Sequence, residues 1–301
     1  MSLLAVIAAL VLEQWRPLGD RKAYFALLAR WADWLERSFN AGASHQGTVA
    51  WLVAVVPALA ASLALYYALL WVSPLLALAF NVAALYLTLG FRQFSHYFTD
   101  LQMAIRAGDV DRARELIGAW RGEPAQHRSR EEVIRLALEE ALVPSHRHVF
   151  GVLFWFVLLP GPSGAILYRL ALYLRRRWRG LGAFGDGAER VYRALEWPAV
   201  RLTAASFAVV GDFEDAIYCW RTQAPGWPDP DAGVVLAAGA GAMGVRLGMA
   251  LTAIDGVEVR PELGVGDTAD SPFLDSLVGL VWRALVVWIF LILLLGLARI
   301  F

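Results

Sequence analysis

The sequence predicts an all-α protein, a polytopic transmembrane helical bundle that carries amphipathic cytoplasmic helices. Residues 50–90 contain no charged side chain. Such a run is long enough to cross a hydrocarbon core of about 30 Å twice. Hydrophobic residues make up 58% of the 301-residue chain and charged residues only 18%, which agrees with a membrane protein. A soluble protein with one long buried hairpin is the less favoured alternative, and we expect residues 1–301 to form a single integral membrane domain.

Residues 50–72 and 74–90 are predicted to form an antiparallel transmembrane hairpin. Ser73 and Pro74 provide the corner between the two halves, because proline lacks the N–H that a continuing helix needs. Lipid offers no partners for backbone polar groups, so each half is expected to be helical.

Two further transmembrane segments are predicted at residues 149–174 and 276–298. Pro160-Gly161-Pro162 (residues 160–162) breaks the first of them, and two topologies stay open. Arginine clusters flank that segment on both sides, and the positive-inside rule places both clusters in the cytoplasm. The segment must then return to the side that it left, as two half-helices or a re-entrant hairpin. The alternative is one kinked helix that crosses once. Residues 1–12 lack the basic start and cleavage site of a signal peptide, so a short or half-inserted helix is expected there.

The polar regions 92–147 and 175–275 are predicted to be helical rather than linkers. A short motif occurs twice in them, as Gly-Asp-Val-Asp from residue 108 and Gly-Asp-Phe-Glu from residue 211. In each copy we expect the aspartate, Asp109 or Asp212, to cap the helix that follows. The repeat is interpreted as helix punctuation used twice, with a pseudo-symmetric pair of helical hairpins as the alternative.

Two features of the second polar region suggest local structure. The Gly- and Ala-rich run at residues 239–244 resembles a dinucleotide fingerprint only superficially, because that motif needs a strand before it, and a closely packed helix is favoured. Residues 254–259 are expected to form a small hairpin.

Charge and cysteine content exclude several function classes. The formal net charge is zero, so no overall field favours nucleic acid. The single cysteine, Cys219, rules out an intramolecular disulfide, and the five histidines show no zinc-ligand spacing. His146 and His148 diverge on a helix, so we predict no metal site.

Several motifs follow one another in an order that carries a resemblance. They are LYLTLGFRQF, AIRAGDVDRARELIGAW, LFWFVLLPGPSGAILYRL, VRLTAASFAVVGDFEDAIYCWR, AGAMGVRLG and VRPELGVGD. This succession resembles the CobD/CbiB family of cobalamin biosynthesis proteins over nearly the whole chain, and it is also similar to AmpE-type inner-membrane proteins. The resemblance implies a multi-pass protein of the bacterial inner (plasma) membrane. It further implies ATP-dependent amide formation between a corrinoid carboxylate and an amino-alcohol phosphate.

The positions that match the family's acidic motifs depart from its pattern. They hold Val143, Arg147, Arg175, Tyr192 and Arg193. Activation of a carboxylate with ATP needs Mg²⁺ and therefore oxygen ligands. Corrinoid and Mg-ATP are accordingly expected as ligands only if the family activity is retained, and we expect the Mg-ATP site at these positions to be lost.

Four residues are candidates for binding an anion or another ligand: Arg92, Glu139, Arg169 and Arg201. Charges inside or beside apolar runs are costly and are usually functional or paired. The structural alternative is that Arg169 and Arg201 pair with Glu139 or Glu196, or reach lipid headgroups. The catalytic residues stay unknown.

The expected partners are the lipid bilayer and either a second copy of the chain or another membrane protein. Small residues at positions 54, 58, 61 and 62 fall on one helix side and favour close helix packing, within or between chains. Two functional hypotheses follow: an enzyme of the CobD/CbiB type, or a non-catalytic, AmpE-like sensor, regulator or scaffold.

Overall fold

The computed structural model describes residues 2–15, 22–253 and 256–298; within them, the side chains of residues 22–25, 91–94 and 253 lie outside the description. The described α-helices are α1 (Ser2–Trp15), α2 (Lys22–Phe39), α3 (Ser44–Val72), α4 (Pro74–Thr88), α5 (Phe91–Arg106), α6 (Val110–Arg121), α7 (Arg130–Ser145), α8 (Gly151–Leu158), α9 (Ser163–Arg177), α10 (Ala183–Val210), α11 (Phe213–Thr222), α12 (Pro230–Met243) and α13 (Ser271–Ala298). The described strands are β1 (Leu247–Gly248), β2 (Leu251–Ala253), β3 (Gly256–Glu258) and β4 (Glu262–Leu263). The predicted all-α class is confirmed.

Three described helical stretches are long and apolar enough to cross a membrane by length and composition: Ser44–Val72, Arg130–Leu158 and Ser271–Ala298. The first and third contain the predicted segments 50–72 and 276–298. That these segments lie in a membrane stays a prediction.

The corner predicted at Ser73 is confirmed as a helix boundary. Its N–H donates to the carbonyl of Leu69 at 2.8 Å, and its Oγ accepts the N–H of Leu75 at 3.3 Å, so Ser73 closes α3 and caps α4. The second helix of the hairpin is only 15 residues long. At 1.5 Å per residue it extends about 22 Å, less than the hydrocarbon core. A full crossing at 74–90 therefore stays a prediction.

The break predicted at residues 160–162 is confirmed, since α8 ends at Leu158 and α9 begins at Ser163. The helix that contains the start of that segment begins earlier, at Arg130, and the transmembrane start at residue 149 stays a prediction. Helix continues from Arg130 to Leu158 through a π-helical turn at His146–Phe150. The turn follows Pro144, whose ring and missing N–H disturb the regular ladder, and a wider turn lets the helix continue.

The chain divides into two compact units. Unit 1 comprises residues 1–90, 151–199 and 295–301, and unit 2 comprises residues 91–150 and 200–294. The single membrane domain expected from the sequence stays a prediction. In unit 1, α1 packs on α4, α3 packs on α4 and α9, and α8 packs on α9.

Unit 2 is built around α12, which packs on α7 and α11. Every residue from Ala232 to Ala242 is buried, so the predicted closely packed helix at this Gly- and Ala-rich run is confirmed. The polar helical description of 175–275 was too coarse, because this region also contains the apolar α12 and the four strands. Strand β2 pairs antiparallel with β3, which confirms a hairpin; its first strand begins earlier than predicted, and residues 254–255 lie outside the described residues.

Both caps predicted from the repeat are confirmed. Asp109 Oδ1 accepts the N–H of Arg112 at 2.9 Å, and Asp212 Oδ1 accepts the N–H of Asp215 at 3.0 Å. The two copies therefore begin α6 and α11 in the same way.

Candidate functional site

One face of α7 in unit 2 carries a set of buried charged residues. Glu132, Arg135 and Glu139 are spaced by three and four residues, so their side chains share one side of the helix, and all three are buried. They face the described residues 246–253 and 256–260, which contain β1, β2 and β3 and supply most of their partners. We refer to Arg128, Glu132, Arg135, Glu139 and Arg260 together as the α7 cluster.

Glu139, a predicted candidate, has both carboxylate oxygens occupied. Oε1 accepts the N–H of Gly248 at 2.9 Å, and Oε2 accepts from Nη2 of Arg260 at 2.5 Å. The guanidinium of Arg260 also lies over the ring of Trp227, 4.9 Å from its centroid. Gly248 has φ +68°, and an added Cβ would overlap the carbonyl oxygen of Pro261, so glycine is required there. Glu139 is therefore held as half of a buried ion pair and is not available as a base.

Glu132 closes the start of α7 and bonds to the hairpin. Oε2 accepts the N–H of Ser129 at 2.6 Å, which completes a capping box, and Oε1 accepts the N–H of Thr252 at 2.5 Å. Ser129 in turn caps the helix, because its Oγ accepts the N–H of Glu132 at 3.2 Å. Backbone donors therefore occupy both oxygens of this carboxylate.

Two arginines of the α7 cluster lack a close carboxylate. Arg135 donates to the carbonyl of Ala250 at 2.9 Å, and its nearest carboxylate, that of Glu131, is 3.6 Å away. Arg128 approaches only Glu258, also at 3.6 Å. Each keeps a buried N–H group without a hydrogen-bond partner among the described residues, Nε in Arg135 and Nη1 in Arg128.

The other candidates predicted from the sequence fall at scattered places. The side chain of Arg92 lies outside the described part of the chain. Arg169 is half-buried on α9 of unit 1, and Arg201 is half-buried on the part of α10 that belongs to unit 2. The alternative in which Glu139 pairs with Arg169 or Arg201 was wrong, because its partner is Arg260. Whether any of the four binds a ligand stays a prediction.

Sequence reasoning missed Arg260, Arg135 and Arg128. Arg260 lies 121 residues from Glu139, so no local pattern joins them. One signal is present in the sequence: Arg260 stands in the motif VRPELGVGD, one of the motifs that carry the family resemblance. Because a buried side-chain charge needs a partner, the arginine of this motif is a candidate counter-ion for Glu139.

The arginines at three of the departing positions form close ion pairs. Arg147 Nη2 lies 2.8 Å from Asp229 Oδ2 in unit 2. In unit 1, Arg175 Nε lies 2.6 Å from Glu189 Oε2, and Arg193 Nε lies 2.9 Å from the other oxygen of the same carboxylate. Although burial opposes ionisation, hydrogen bonds from the two arginines hold the pKa of Glu189 below its ordinary value.

Tyr192, another departing position, joins a buried polar group in unit 1. Tyr168 Oη donates to Glu196 Oε2 at 2.5 Å and lies 3.4 Å from Tyr192 Oη. The Arg175 guanidinium lies over the Tyr192 ring at 4.7 Å. These side chains connect α9 to α10 and make this region a tightly bonded part of unit 1.

A protein site for a metal ion needs several ligating side chains close together. Among the described residues, no group of three or more His, Cys, Asp or Glu side chains is placed to hold one. Nδ1 of His146 bonds instead to Thr203 Oγ1 at 2.8 Å.

Comparisons with known proteins give a consistent result. The family model described as CobD/Cbib protein matches residues 6–281. The cobalamin biosynthesis protein CobD of Stutzerimonas stutzeri is 36% identical over 303 residues, covering 97% of each chain. The protein of the same name from Chromobacterium violaceum is 37% identical, covering 71% of this chain and 70% of its own. That of Mycobacterium tuberculosis is 29% identical, covering 75% and 72%. No solved structure matches.

Proposed function

The chain belongs to the CobD/Cbib protein family, and we propose from this premise that it serves cobalamin biosynthesis as a multi-pass protein of the bacterial inner membrane. In this proposal it binds a corrinoid but does not carry out Mg-ATP-driven amide formation. The names of its relatives support the role in cobalamin biosynthesis. The arrangement of its charged residues supports the absence of Mg-ATP-driven amide formation. The similarity to AmpE stays a prediction.

The membrane placement is supported by helix length and surface. Helices α3 and α13 contain 29 and 28 residues and therefore extend about 42 Å, enough to cross the bilayer with some tilt. Large apolar side chains are exposed along α13, among them Val286, Phe290 and Leu294. Exposed apolar surface on this scale is typical of a lipid-facing helix.

The residues present do not fit a Mg-ATP site of the kind that the family resemblance implies. Mg²⁺ takes oxygen ligands, usually one or two carboxylates with phosphate oxygens. The positions expected to carry those carboxylates hold Val143, Arg147, Arg175, Tyr192 and Arg193.

One observation supports the proposal most directly: the arginines at these positions form ion pairs with carboxylates of the chain itself. Arg147 pairs with Asp229 at 2.8 Å, and Arg175 pairs with Glu189 at 2.6 Å. A guanidinium and a carboxylate at this distance satisfy each other, so neither is left for a nucleotide phosphate or a metal ion. The arginines at these positions therefore stabilise the fold as members of structural ion pairs.

Two experiments test the proposal. The first is complementation of a strain that lacks its own cobinamide-phosphate synthase, with the Stutzerimonas stutzeri relative as the positive control and membrane expression matched by immunoblot. We expect no growth from this gene. The second is binding of cobyric acid and cobinamide phosphate to purified protein in detergent, followed by corrinoid absorbance after size-exclusion chromatography. We expect co-elution.

The outcomes separate the alternatives. Growth above the empty-vector control would overturn the restriction on chemistry and favour the enzyme. Failure to retain either corrinoid would overturn the pathway role and favour a sensor or scaffold.

A further inference from the structure

Helix α13 begins in polar surroundings within unit 2. Asp275, in the second turn of the helix, accepts hydrogen bonds from Gln102 Nε2 at 2.8 Å and from Arg106 Nη2 at 2.6 Å. Asp270, just before the helix, pairs with Arg130 at 3.0 Å. The four charged side chains are all exposed. Water therefore reaches the amino-terminal end of α13.

The exposed surface of α13 becomes apolar directly after this end. Val278, Trp282, Val286 and Phe290 follow one another at intervals of four residues, and all four are exposed. Residues 278–298 extend about 30 Å, which is the thickness of a hydrocarbon core. In the membrane placement proposed above, the edge of that core therefore lies near Val278.

Arg283 lies on this exposed surface, inside that edge, and is the only charged residue between positions 276 and 298. It follows Val278 by five residues, which places it about 8 Å deeper along the helix. Its Nε donates to the carbonyl of Gly279 at 3.2 Å, and no described residue supplies a carboxylate partner. A charge that faces hydrocarbon is costly unless it is paired or reaches the interface, so Arg283 needs a counter-charge from outside the chain.

The surface beside Arg283 has an open notch at Gly279. The two residues are four positions apart and therefore lie on the same side of the helix. Nothing lies within 4 Å of the place that a Cβ of Gly279 would occupy. Long side chains on a helix lean towards its amino-terminal end, which is the direction of the notch and of the polar boundary. Arginine can keep its methylene groups in an apolar layer while its guanidinium reaches the interface.

We propose that Arg283 and the notch at Gly279 bind the phosphate of an anionic phospholipid in the leaflet at the amino-terminal end of α13. The inference rests on the membrane placement in the proposed function and is independent of corrinoid binding. A guanidinium donates two parallel hydrogen bonds to phosphate oxygens, and the lipid supplies the missing counter-charge. A zwitterionic head group binds less tightly, because its cationic part repels the arginine. The acyl chains of the bound lipid cover the apolar surface at Val286 and Phe290.

The test measures lipid binding to the purified full-length protein in detergent by native mass spectrometry. The probes are dioleoyl phosphatidylglycerol, dioleoyl phosphatidylcholine and dioleoylglycerol, which share their acyl chains and differ in the head group. We expect phosphatidylglycerol to bind about tenfold more tightly than phosphatidylcholine, the value of one charged hydrogen bond, and dioleoylglycerol to bind least. Equal affinity for the two phospholipids would overturn the proposal. So would a lipid-free dimer that dissociates in Arg283→Gln, because a second copy would then supply the counter-charge.

A charge variant locates the site on Arg283. Arg283→Gln should weaken binding of phosphatidylglycerol about tenfold and leave binding of phosphatidylcholine almost unchanged. Arg112→Gln is the matched control, because Arg112 is an exposed arginine of the same unit that pairs with Glu115 at 2.8 Å, and it should bind phosphatidylglycerol unchanged. Equal weakening in this control would show nonspecific attraction of the acidic lipid and overturn the assignment.

A second variant fills the notch and keeps the charge. Gly279→Leu should weaken binding of phosphatidylglycerol, because the new side chain occupies the space beside the guanidinium. Gly296→Leu is its control, since Gly296 also lies on α13 with nothing within 4 Å of an added Cβ, and it should bind like the unchanged protein. Unchanged affinity in Gly279→Leu would contradict the proposed site.

Extraction of membranes with alkaline carbonate separates failure of this inference from failure of the membrane placement. We expect the unchanged protein and Arg283→Gln to stay in the membrane pellet equally, while only the variant loses its preference for phosphatidylglycerol. Release of the unchanged protein would overturn the membrane placement itself. Retention of the unchanged protein without a head-group preference would overturn the lipid site alone.

Discussion

Arginines are used differently in two regions of this protein. In unit 1, Arg175 and Arg193 meet the two oxygens of one carboxylate, Glu189, at 2.6 and 2.9 Å. In unit 2, Arg128 and Arg135 are more deeply buried than Arg193, yet their nearest carboxylates are 3.6 Å away. The Arg175 pair connects α9 to α10, and the Arg193 pair lies within α10. In the pairs of the second kind, each arginine keeps a buried N–H group without a hydrogen-bond partner among the described residues, so pair distance separates fully bonded arginines from incompletely bonded ones.

The largest expected effect comes from breaking the buried pair that holds the α7 cluster. Glu139→Ala leaves Arg260 buried without its counter-ion and should lower the free energy of unfolding by about 3–5 kcal/mol. Thermal or denaturant unfolding of the detergent-solubilised protein measures this. Asp275→Ala is the control, because its pair with Arg106 is more than half exposed and should be worth about 0–1 kcal/mol. Similar losses in the two variants would contradict the distinction between buried and exposed pairs.

The next effect compares a close pair with an incomplete one. Arg175→Gln should cost about 1.5–3 kcal/mol, because it removes a charged hydrogen bond to a partly buried carboxylate. Arg128→Gln should cost less, because its carboxylate lies 3.6 Å away. Parallel unfolding measurements of the two variants decide this. A larger loss for Arg128→Gln would contradict the smaller contribution expected of a distant ion pair.

Features governed by local chemistry could be predicted from the sequence. The corner at Ser73 follows from proline, the break at residues 160–162 follows from Pro-Gly-Pro, and each cap lies within three residues of its donor. The charge-free run was sufficient to predict one helix of membrane length, α3. Each of these features is determined by residues a few positions apart in the chain, and such residues can be read directly from the sequence.

The candidate site could not be predicted in the same way. Glu139 was identified from the sequence, but its partner Arg260 and the role of Arg135 depend on the return of segment 246–260 to α7. The π-helical turn after Pro144, which lets α7 continue into α8, was not predicted either. Contacts over more than a hundred residues and irregular turns have no local signature.

A smaller effect tests whether the repeated caps are equivalent. Asp109→Ala and Asp212→Ala should each lower the free energy of unfolding by about 1 kcal/mol, because each removes one side-chain bond to an N-terminal backbone N–H. Unfolding of the two variants and of the unchanged protein measures the costs. Unequal losses in the free energy of unfolding would show that the two copies, although similar in sequence and geometry, stabilise the protein to different extents.

The smallest effect concerns pH and the close pair of unit 1. The pKa of Glu189 is lower in the folded protein than its ordinary value of 4.5, because the bonds from Arg175 and Arg193 outweigh burial. Its stabilising contribution is therefore complete above pH 4.5 and is lost as the pH falls through the lowered folded pKa. The melting temperature should fall less steeply below pH 4.5 in Glu189→Gln than in the unchanged protein. Identical slopes would contradict this contribution.

A direct assay of amide formation tests the central claim. This claim is that the arginines at the departing positions form structural ion pairs and are not part of an ATP site. Purified protein in nanodiscs is incubated with adenosylcobyric acid, an amino-alcohol phosphate and Mg-ATP. The products are separated by chromatography and identified by mass spectrometry. A family enzyme prepared in the same way is the positive control. We predict no amide product above the protein-free background. Product that appears only when both protein and Mg-ATP are present would contradict the claim.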